Sequence, residues 1–327
     1  MTPITTLEDI QRHYADDLKS VNDRIGEQLR CPNALMQQVV TAHLRNKGKQ
    51  LRPLVVVLCA RMFGDVNDKV ISSAAAVELL HNASLIHDDV VDESMLRRNN
   101  PTVNSLWGNH LAVLVGDFFT TGAMQQAIST GDIRIVDALC KLGKKLSIGE
   151  VDQIYNAREH ALSIENYYNV IDYKTASLFV ASAEMGCLSV GVDDRRMELI
   201  AEFTRLFGRC FQIRDDIFDY YDSAAVGKPT GNDLREGKVS LPLLYVLGRK
   251  DLPDHAAIVA TAMKEQLDDN EIRTLQAYAR DHGGIDYSLG VMSELRERAA
   301  GILSQLPECR EREMLSVLFD FIIARDH

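Results

Sequence analysis

Two short acidic runs have the spacing that can bind metal ions. Asp88 and Asp92 lie four residues apart, and Asp215 and Asp219 repeat that spacing. On an α-helix, residues four apart are separated by about 40° around the axis, so each pair presents two carboxylates on one side. Like charges at this spacing repel each other, which favours a bound cation. Magnesium prefers a few carboxylates together with phosphate oxygens, so the two pairs predict a diphosphate held through metal ions.

An acidic run can also be a solvated face of a helix. The residues before both runs argue against that interpretation, because 79–87 and 207–214 read as core-facing helical stretches. We therefore predict that the two runs turn their carboxylates toward one shared, dry cavity.

The composition of the chain indicates a helical globular protein. It has 327 residues, of which 46% are hydrophobic, and no proline lies between Pro101 and Pro229. Proline interrupts helices most strongly, so its absence favours an all-α fold. No linker or composition shift marks a boundary, and we predict one domain over 1–327. The net charge of -11 argues against a nucleic-acid partner, which a basic surface would bind.

The cysteines and the N-terminus bear on the compartment. The six cysteines show neither paired metal-ligand spacing nor the density of a disulfide framework. The N-terminal segment lacks the features of a signal peptide, and no apolar run reaches the roughly 18 residues of a membrane span. We expect a soluble cytoplasmic protein.

Helical spacing of apolar residues and turn residues predict the helices. They cover about 7–29, a segment ending near 45, 68–91, 104–129, 132–160, 164–190 and 194–221, followed by helices over 241–325 that break at Pro253, Gly283-Gly284 and Pro307.

Basic side chains near these helices are candidates for binding phosphate. Lys49 and Arg52 precede a helix whose first turn can hold Pro53, and a helix N-terminus favours an anion. The alternative is an ordinary exposed basic loop. Arg97 and Arg98 follow the first acidic run, where they can clamp a diphosphate through bidentate hydrogen bonds.

Further candidates are polar residues in apolar surroundings. His81 shares a helix face with Asp88, although a core histidine satisfied by a neighbour is the alternative. Lys174 lies in an apolar stretch and needs a negative partner, unless its ammonium group reaches solvent. The glycine-rich segment 226–238 is either a lid that brings Lys228 and Lys238 over a phosphate or a mere connector.

Taken together, these features resemble the trans-isoprenyl diphosphate synthases (polyprenyl synthetases), and most closely the bacterial octaprenyl-type synthases. The carrying motifs, in chain order, are Gly48-Lys49-x-x-Arg52-Pro53, His81, Asp88-Asp89-x-x-Asp92, Arg97-Arg98, Gly116-Asp117, Lys174-Thr175, Phe211-Gln212-x-x-Asp215-Asp216-x-x-Asp219 and Gly227-Lys228-x-x-Gly231-Asn232-Asp233. Gln50 departs from the pattern, since a second basic residue is common there.

The resemblance implies a single-domain helical bundle of the isoprenoid synthase type around a central cavity, and a homodimer. It implies about three Mg2+ ions with substrate bound, on Asp88, Asp92, Asp215 and Asp219. It places an allylic diphosphate on Arg97, Lys174, Thr175, Gln212, Lys228 and Lys238, and isopentenyl diphosphate on Lys49, Arg52, His81 and Arg98. Lys174, Thr175 and Gln212 are the implied catalytic residues.

The implied reaction adds isopentenyl diphosphate repeatedly to an allylic diphosphate. The growing tail would pass Ala83 and Ser84, whose small side chains leave a tunnel open, toward Met124 on the next helix. We therefore expect a long, octaprenyl-like product for quinone side chains. The alternatives are a shorter-chain geranylgeranyl or farnesyl diphosphate synthase, a class I terpene cyclase and a non-catalytic regulatory subunit.

Overall fold

The computed structural model describes residues 4–45, 48–97, 100–221 and 230–325. Within these ranges nearly all regular structure is helical, which confirms the all-α prediction. The exception is a small antiparallel pair of strands, β1 (Leu96–Arg97) and β2 (Asn100–Pro101), in which Arg97 pairs with Asn100.

The helices are α1 (Leu7–His13), α2 (Ala15–Gln28), α3 (Ala34–Leu44), α4 (Leu51–Arg61), α5 (Asp68–Val91), α6 (Val103–Trp107), α7 (Asn109–Ser129), α8 (Ile133–Arg158), α9 (Ile164–Ile171), α10 (Ser177–Ser189), α11 (Asp194–Phe218), α12 (Asn232–Arg235), α13 (Leu241–Leu247), α14 (His255–Ala262), α15 (Asp269–Asp281), α16 (Gly284–Leu303) and α17 (Arg310–Ala324). A π-helical segment, Asp172–Ala176, joins α9 to α10.

The chain forms two compact units, each built from separate stretches of sequence. The first unit comprises Met1–Lys144, Leu178–Ala201 and Gln305–Val317. The second unit comprises Lys145–Ser177, Glu202–Ser304 and Leu318–His327. The assignment of 1–327 to a single domain stays a prediction.

Helix α5 is the core helix of the first unit. Its first turn is capped by Asn67, whose side chain accepts the Val70 N–H at 3.1 Å. The run from Ala74 to Val77 is fully buried, and α5 packs against α2, α4 and α7. Its small side chains allow this close packing on several sides. Each helix in the described ranges is too short or too polar to span a membrane.

The second unit has an aromatic core on α11. Phe203 and Phe207 are buried against Phe319, and the Phe207 and Phe319 rings meet edge-on with centroids 5.5 Å apart. Such edge-to-face packing stabilises a core beyond the burial of area alone. It holds the part of α11 that precedes the second acidic run.

The predicted helical stretch between Pro253 and Gly283 is divided into α14 and α15. Three further predicted helices differ from the observed ones for local reasons. The predicted helix 7–29 is interrupted at Tyr14, between α1 and α2. The predicted helix 104–129 is interrupted at Gly108, whose φ of 82° lies in the region that favours glycine. The predicted helix 164–190 contains the π-helical segment, a rare form that often marks a functional site.

Candidate active site

The first acidic motif lies at the C-terminal end of α5. Asp88 is in the last turn, and the N–H of Asp92 donates to the Asp88 backbone carbonyl at 2.8 Å. Helical geometry therefore continues to Asp92, and both side chains are partly exposed. The C-terminal end of a helix carries partial negative charge, which adds to that of the carboxylates and favours a bound cation.

The middle aspartate of this motif, Asp89, has a different environment. Its side chain is buried and accepts a hydrogen bond from Arg97 Nε at 2.7 Å. Burial raises the pKa of Asp89, and the Arg97 guanidinium opposes that rise. Asn104 donates to the Asp89 backbone carbonyl at 3.1 Å. Asp89 therefore fixes the loop after α5, and it places Arg97 beside the motif.

The second acidic motif repeats this arrangement at the end of α11. Asp215 and Asp219 are partly exposed, and Asp216 between them is buried. Asp215 accepts from Arg325 at 2.7 Å, and Asp219 accepts the backbone N–H groups of Asn232 and Asp233, both at 3.2 Å. Because both carboxylates are partly exposed, a metal ion can approach them from solvent.

Asp216 is held by two neighbours in the second unit. The Tyr167 hydroxyl donates to its Oδ2 at 2.5 Å, and Gln212 Nε2 donates to its Oδ1 at 2.8 Å. Burial raises the pKa of Asp216 to about 7, while both donors favour the charged form. Asp216 therefore links the side chains of Tyr167 and Gln212.

The π-helical segment carries Lys174 and Thr175. Thr175 is buried, and its hydroxyl donates to Gln212 Oε1 at 2.6 Å. Asp172, at the start of the segment, accepts two hydrogen bonds from Arg209, at 2.6 Å from Nε and 2.5 Å from Nη2. These contacts fix the segment to α11, and the structure thereby joins the predicted residues Thr175 and Gln212.

Lys174 forms an ion pair with Glu150 of α8. The negative partner that the apolar surroundings predicted is therefore this glutamate. The preceding residue, Gly149, allows the close approach, because a Cβ there would lie 2.8 Å from Tyr173 Cβ and 2.9 Å from Lys174 Cγ. A glycine is needed at this point of α8.

The predicted isopentenyl diphosphate residues that the structure describes lie in the first unit. Lys49 precedes Gln50, which has the left-handed φ of 47° and caps α4. The Arg52 guanidinium lies over the Phe179 ring, 5.0 Å from its centroid. His81 is buried on α5. Arg98 lies outside the described residues.

Of the two lysines predicted over the allylic diphosphate, Lys238 is described and Lys228 is not. Lys238 Nζ lies 2.5 Å from Glu236 Oε2. The backbone N–H of Lys238 donates to the Asp233 backbone carbonyl at 2.7 Å. Its role at a phosphate stays a prediction.

The residues predicted to set chain length differ in exposure. Ala83 is buried, and Ser84 is partly exposed with its hydroxyl donating to the His81 carbonyl at 2.9 Å. Met124 is 47% exposed on α7. Their role stays a prediction.

Sequence reasoning missed several residues that hold the site residues in place. They are Glu150, Tyr167, Arg209 and Arg325. The sequence signal for Glu150 was its position directly after a mid-helix glycine. The signal for Arg209 was a charged residue within a core-facing stretch. The others depend on contacts between distant parts of the chain.

The donor set suits magnesium bound together with a substrate. Among the described residues no group of three or more His, Cys, Asp or Glu side chains is arranged to hold a metal ion. Each motif instead offers a pair of partly exposed carboxylates. Magnesium is commonly held by one or two carboxylates, with phosphate oxygens and water completing its six positions, so the residues present fit this ion.

Comparisons with known proteins agree with the motifs. The polyprenyl synthetase family model matches residues 33–279. The chain is 34% identical over 321 residues to octaprenyl diphosphate synthase of Escherichia coli, covering 98% of this chain and 99% of that protein. A crystal structure of polyprenyl synthase from Caulobacter crescentus, complexed with calcium and isoprenyl diphosphate, is 32% identical with a TM-score of 0.92, and all of both chains is covered. Geranylgeranyl pyrophosphate synthase from Bacteroides thetaiotaomicron is 34% identical with a TM-score of 0.83, covering 97% and 98% of the two chains. The chain therefore has the all-α isoprenoid synthase fold and belongs to the polyprenyl synthetase family.

Proposed function

We propose that the protein is a magnesium-dependent trans-polyprenyl diphosphate synthase. It adds isopentenyl diphosphate repeatedly to an allylic diphosphate such as farnesyl or geranylgeranyl diphosphate. The observation that carries this proposal is the shared arrangement of the two acidic motifs, in which two partly exposed carboxylates flank a buried one. One such pair could be a solvated helix end. Two such pairs, each with a buried, hydrogen-bonded aspartate between its members, fit the binding of one diphosphate.

The two substrates would be bound by different groups. The allylic diphosphate would be held by metal ions on Asp88, Asp92, Asp215 and Asp219, with Arg97, Lys174, Gln212, Lys228 and Lys238 binding its oxygens. Isopentenyl diphosphate would be bound by Lys49, Arg52, His81 and Arg98. About three magnesium ions, when bound, would neutralise the negative charge of the leaving diphosphate.

The residues of the π-helical segment would act on the carbon skeleton. As the C–O bond of the allylic substrate breaks, the Thr175 hydroxyl oxygen and nearby backbone carbonyls would face the allylic cation. The double bond of isopentenyl diphosphate then attacks this carbon, and the released diphosphate accepts the proton that is lost. Lys174, paired with Glu150, would bind the departing diphosphate. Water must be excluded because it would quench the cation.

Small side chains support a long product. Ala83 and Ser84 lie one turn before Asp88 on α5, and neither can block a tail that passes them. The octaprenyl diphosphate synthase relative points to the same length. We propose an octaprenyl-like product, used for quinone side chains.

A homodimer is the proposed assembly. Val113, Leu114, Met124 and Ile128 on α7 are 41% to 64% exposed. Exposed apolar side chains along one helix are a typical surface for a second copy. The free state of all six cysteines supports a reducing compartment, and we propose the cytoplasm.

The experiment is an elongation assay with purified protein, magnesium, farnesyl diphosphate and labelled isopentenyl diphosphate. After dephosphorylation, chromatography should show linear polyprenyl alcohols. Products that stop at geranylgeraniol would favour the shorter-chain alternative. A hydrocarbon would identify a cyclase, and no incorporation would indicate a subunit that needs a catalytic partner.

A further inference from the structure

Tyr167 is a buried residue of α9 that the proposed mechanism does not use. Its side chain is 8% exposed, and its hydroxyl donates to Asp216 Oδ2 at 2.5 Å. Burial raises the pKa of Tyr167 well above its ordinary value, so the phenol keeps its proton and acts as a donor. The bond joins α9 to α11 in the interior of the second unit.

The other oxygen of Asp216 determines how Gln212 is oriented. The amide nitrogen of Gln212 lies 2.8 Å from Asp216 Oδ1 and donates to it, while the Tyr167 hydroxyl donates to Oδ2. The amide oxygen then points the other way. It faces Thr175, whose hydroxyl lies 2.6 Å from it.

Thr175 is thereby left with one possible direction for its hydroxyl hydrogen. Because Gln212 Oε1 is an acceptor, the hydroxyl donates to it, and the lone pairs of the Thr175 oxygen point elsewhere. An oxygen that presents lone pairs can face a developing positive charge. A hydroxyl that presented its hydrogen would oppose that charge.

We propose that Tyr167 is a positioning residue, which acts through Asp216 and Gln212 to orient the Thr175 hydroxyl so that its lone pairs face the allylic cation. This inference rests on the proposed function, because it concerns the same cation. It assigns to Asp216 the orientation of neighbouring groups, whereas the outer aspartates of the motif would hold the metal.

The test compares Tyr167→Phe with Tyr168→Phe. The first variant removes one hydrogen-bond donor to Asp216 with little change in shape. The second variant removes the hydroxyl of the neighbouring Tyr168. The Arg209 guanidinium lies over the Tyr168 ring, 5.1 Å from the ring centroid. Tyr167→Phe should lower kcat about 10- to 100-fold and leave the KM of both substrates within about twofold. Tyr168→Phe should keep kcat close to that of the wild type.

A double-mutant cycle with Thr175→Val separates positioning from structural support. Thr175→Val removes the hydroxyl at almost constant shape and should lower kcat by itself. If Tyr167 acts through this hydroxyl, adding Tyr167→Phe should cause no further loss. Multiplied losses, or Tyr167→Phe kinetics like the wild type, would overturn the inference while the wild type still elongates its substrate.

Two further outcomes are distinguishable. If Tyr167→Phe fails to fold by circular dichroism, Asp216→Asn replaces it in the cycle, because it leaves one acceptor oxygen for the two donors Tyr167 and Gln212 at constant size. Its loss should also not add to that of Thr175→Val, and an additive loss overturns the inference. If the wild type elongates nothing with magnesium present, the proposed function fails, and this inference fails with it.

Discussion

Asp89 and Asp216, the second aspartates of the two acidic motifs, share one environment: each is 4% exposed and accepts hydrogen bonds from protein side chains. The first and third aspartates of both motifs are partly exposed. The same four-residue spacing therefore produces two classes of carboxylate. Those that can reach a metal ion alternate with those that fix the surrounding polypeptide.

This division predicts that substitutions within one motif affect different properties, turnover at the first aspartate and stability at the second. Asp88→Ala should lower turnover by several orders of magnitude, because a metal ligand neutralises charge that develops in the transition state. Its melting temperature in EDTA should stay close to that of the wild type. Asp89→Asn should instead lower the free energy of unfolding by about 1 to 3 kcal/mol, because Arg97 loses a charged acceptor.

Steady-state kinetics and urea unfolding of both variants measure this contrast. A stable Asp88→Ala variant with nearly normal turnover would show that Asp88 does not bind the metal. An Asp89→Asn variant as stable as the wild type would show that its contact with Arg97 contributes little.

The raised pKa of Asp216 predicts a pH-dependent stability of the metal-free protein. Its pKa is about 7 in the folded protein, whereas the ordinary value for an aspartate, taken for the unfolded chain, is 3.8. The folded state therefore holds more protons between those values, and the free energy of unfolding should fall as pH rises from about 4 to about 8. Urea unfolding in EDTA across this range measures the effect. Asp216→Asn should flatten the dependence, and an equal slope in both proteins would assign it to other groups.

Gly149→Ala should impair turnover although alanine favours helices. The new Cβ would lie 2.8 Å from Tyr173 Cβ and 3.1 Å from the Lys174 backbone nitrogen, so the π-helical segment must shift. We expect a loss of about tenfold or more in kcat, since a small misplacement of a binding group is costly. The control is Gly26→Ala on α2, where a Cβ meets nothing within 4 Å. Gly26→Ala should keep its activity and gain up to about 1 kcal/mol in stability. Equal kinetics in both variants would contradict the role of Gly149.

Ala83→Tyr should shorten the product without abolishing the reaction. A phenol at this buried position of α5 would block the proposed path of the tail, while the carboxylates of Asp88 and Asp92 stay in place. Chromatography of dephosphorylated products measures the length. Ser84→Ala, which keeps a small side chain, is the control and should leave the length unchanged. A full-length product from Ala83→Tyr would place the tunnel elsewhere.

The double substitution Leu114→Glu and Ile128→Glu should convert the proposed dimer to a monomer. Both side chains are exposed on α7, and two carboxylates from each copy would be buried together at an interface there. Size-exclusion chromatography with light scattering gives the mass. Leu289→Glu on α16 is the control and should remain dimeric. A double variant with the mass of a dimer would exclude this face of α7 as the interface.

The sequence is informative where a function depends on local spacing. The end of α5, the position of Asp88 and Asp92, and the entry of Pro53 into the first turn of α4 all follow from residues close together in the chain. One partner of Asp216 does not, because Tyr167 lies 49 residues from it. Likewise, Asp215 and Arg325 lie 110 positions apart, and the residues around each carry no signal of their ion pair.

The periodicity of apolar residues also does not predict local breaks in helices. Apolar spacing continues through Gly108 and through the segment Asp172–Ala176, although the backbone leaves α-helical geometry at both. In the second case the contacts that accompany the change are tertiary, from Arg209 to Asp172 and from Gln212 to Thr175. Propensity alone does not contain such contacts.

We propose that the outer carboxylates of both motifs together hold one diphosphate through metal ions. The most direct measurement is a crystal structure with Mn2+ and an unreactive thio-analogue of farnesyl diphosphate, in which anomalous scattering locates the metal. We expect metal ions about 2.1 Å from oxygens of Asp88, Asp92, Asp215 and Asp219, with the diphosphate bound between them. Metal ions bound away from these carboxylates, or a diphosphate bound by only one motif, would contradict it.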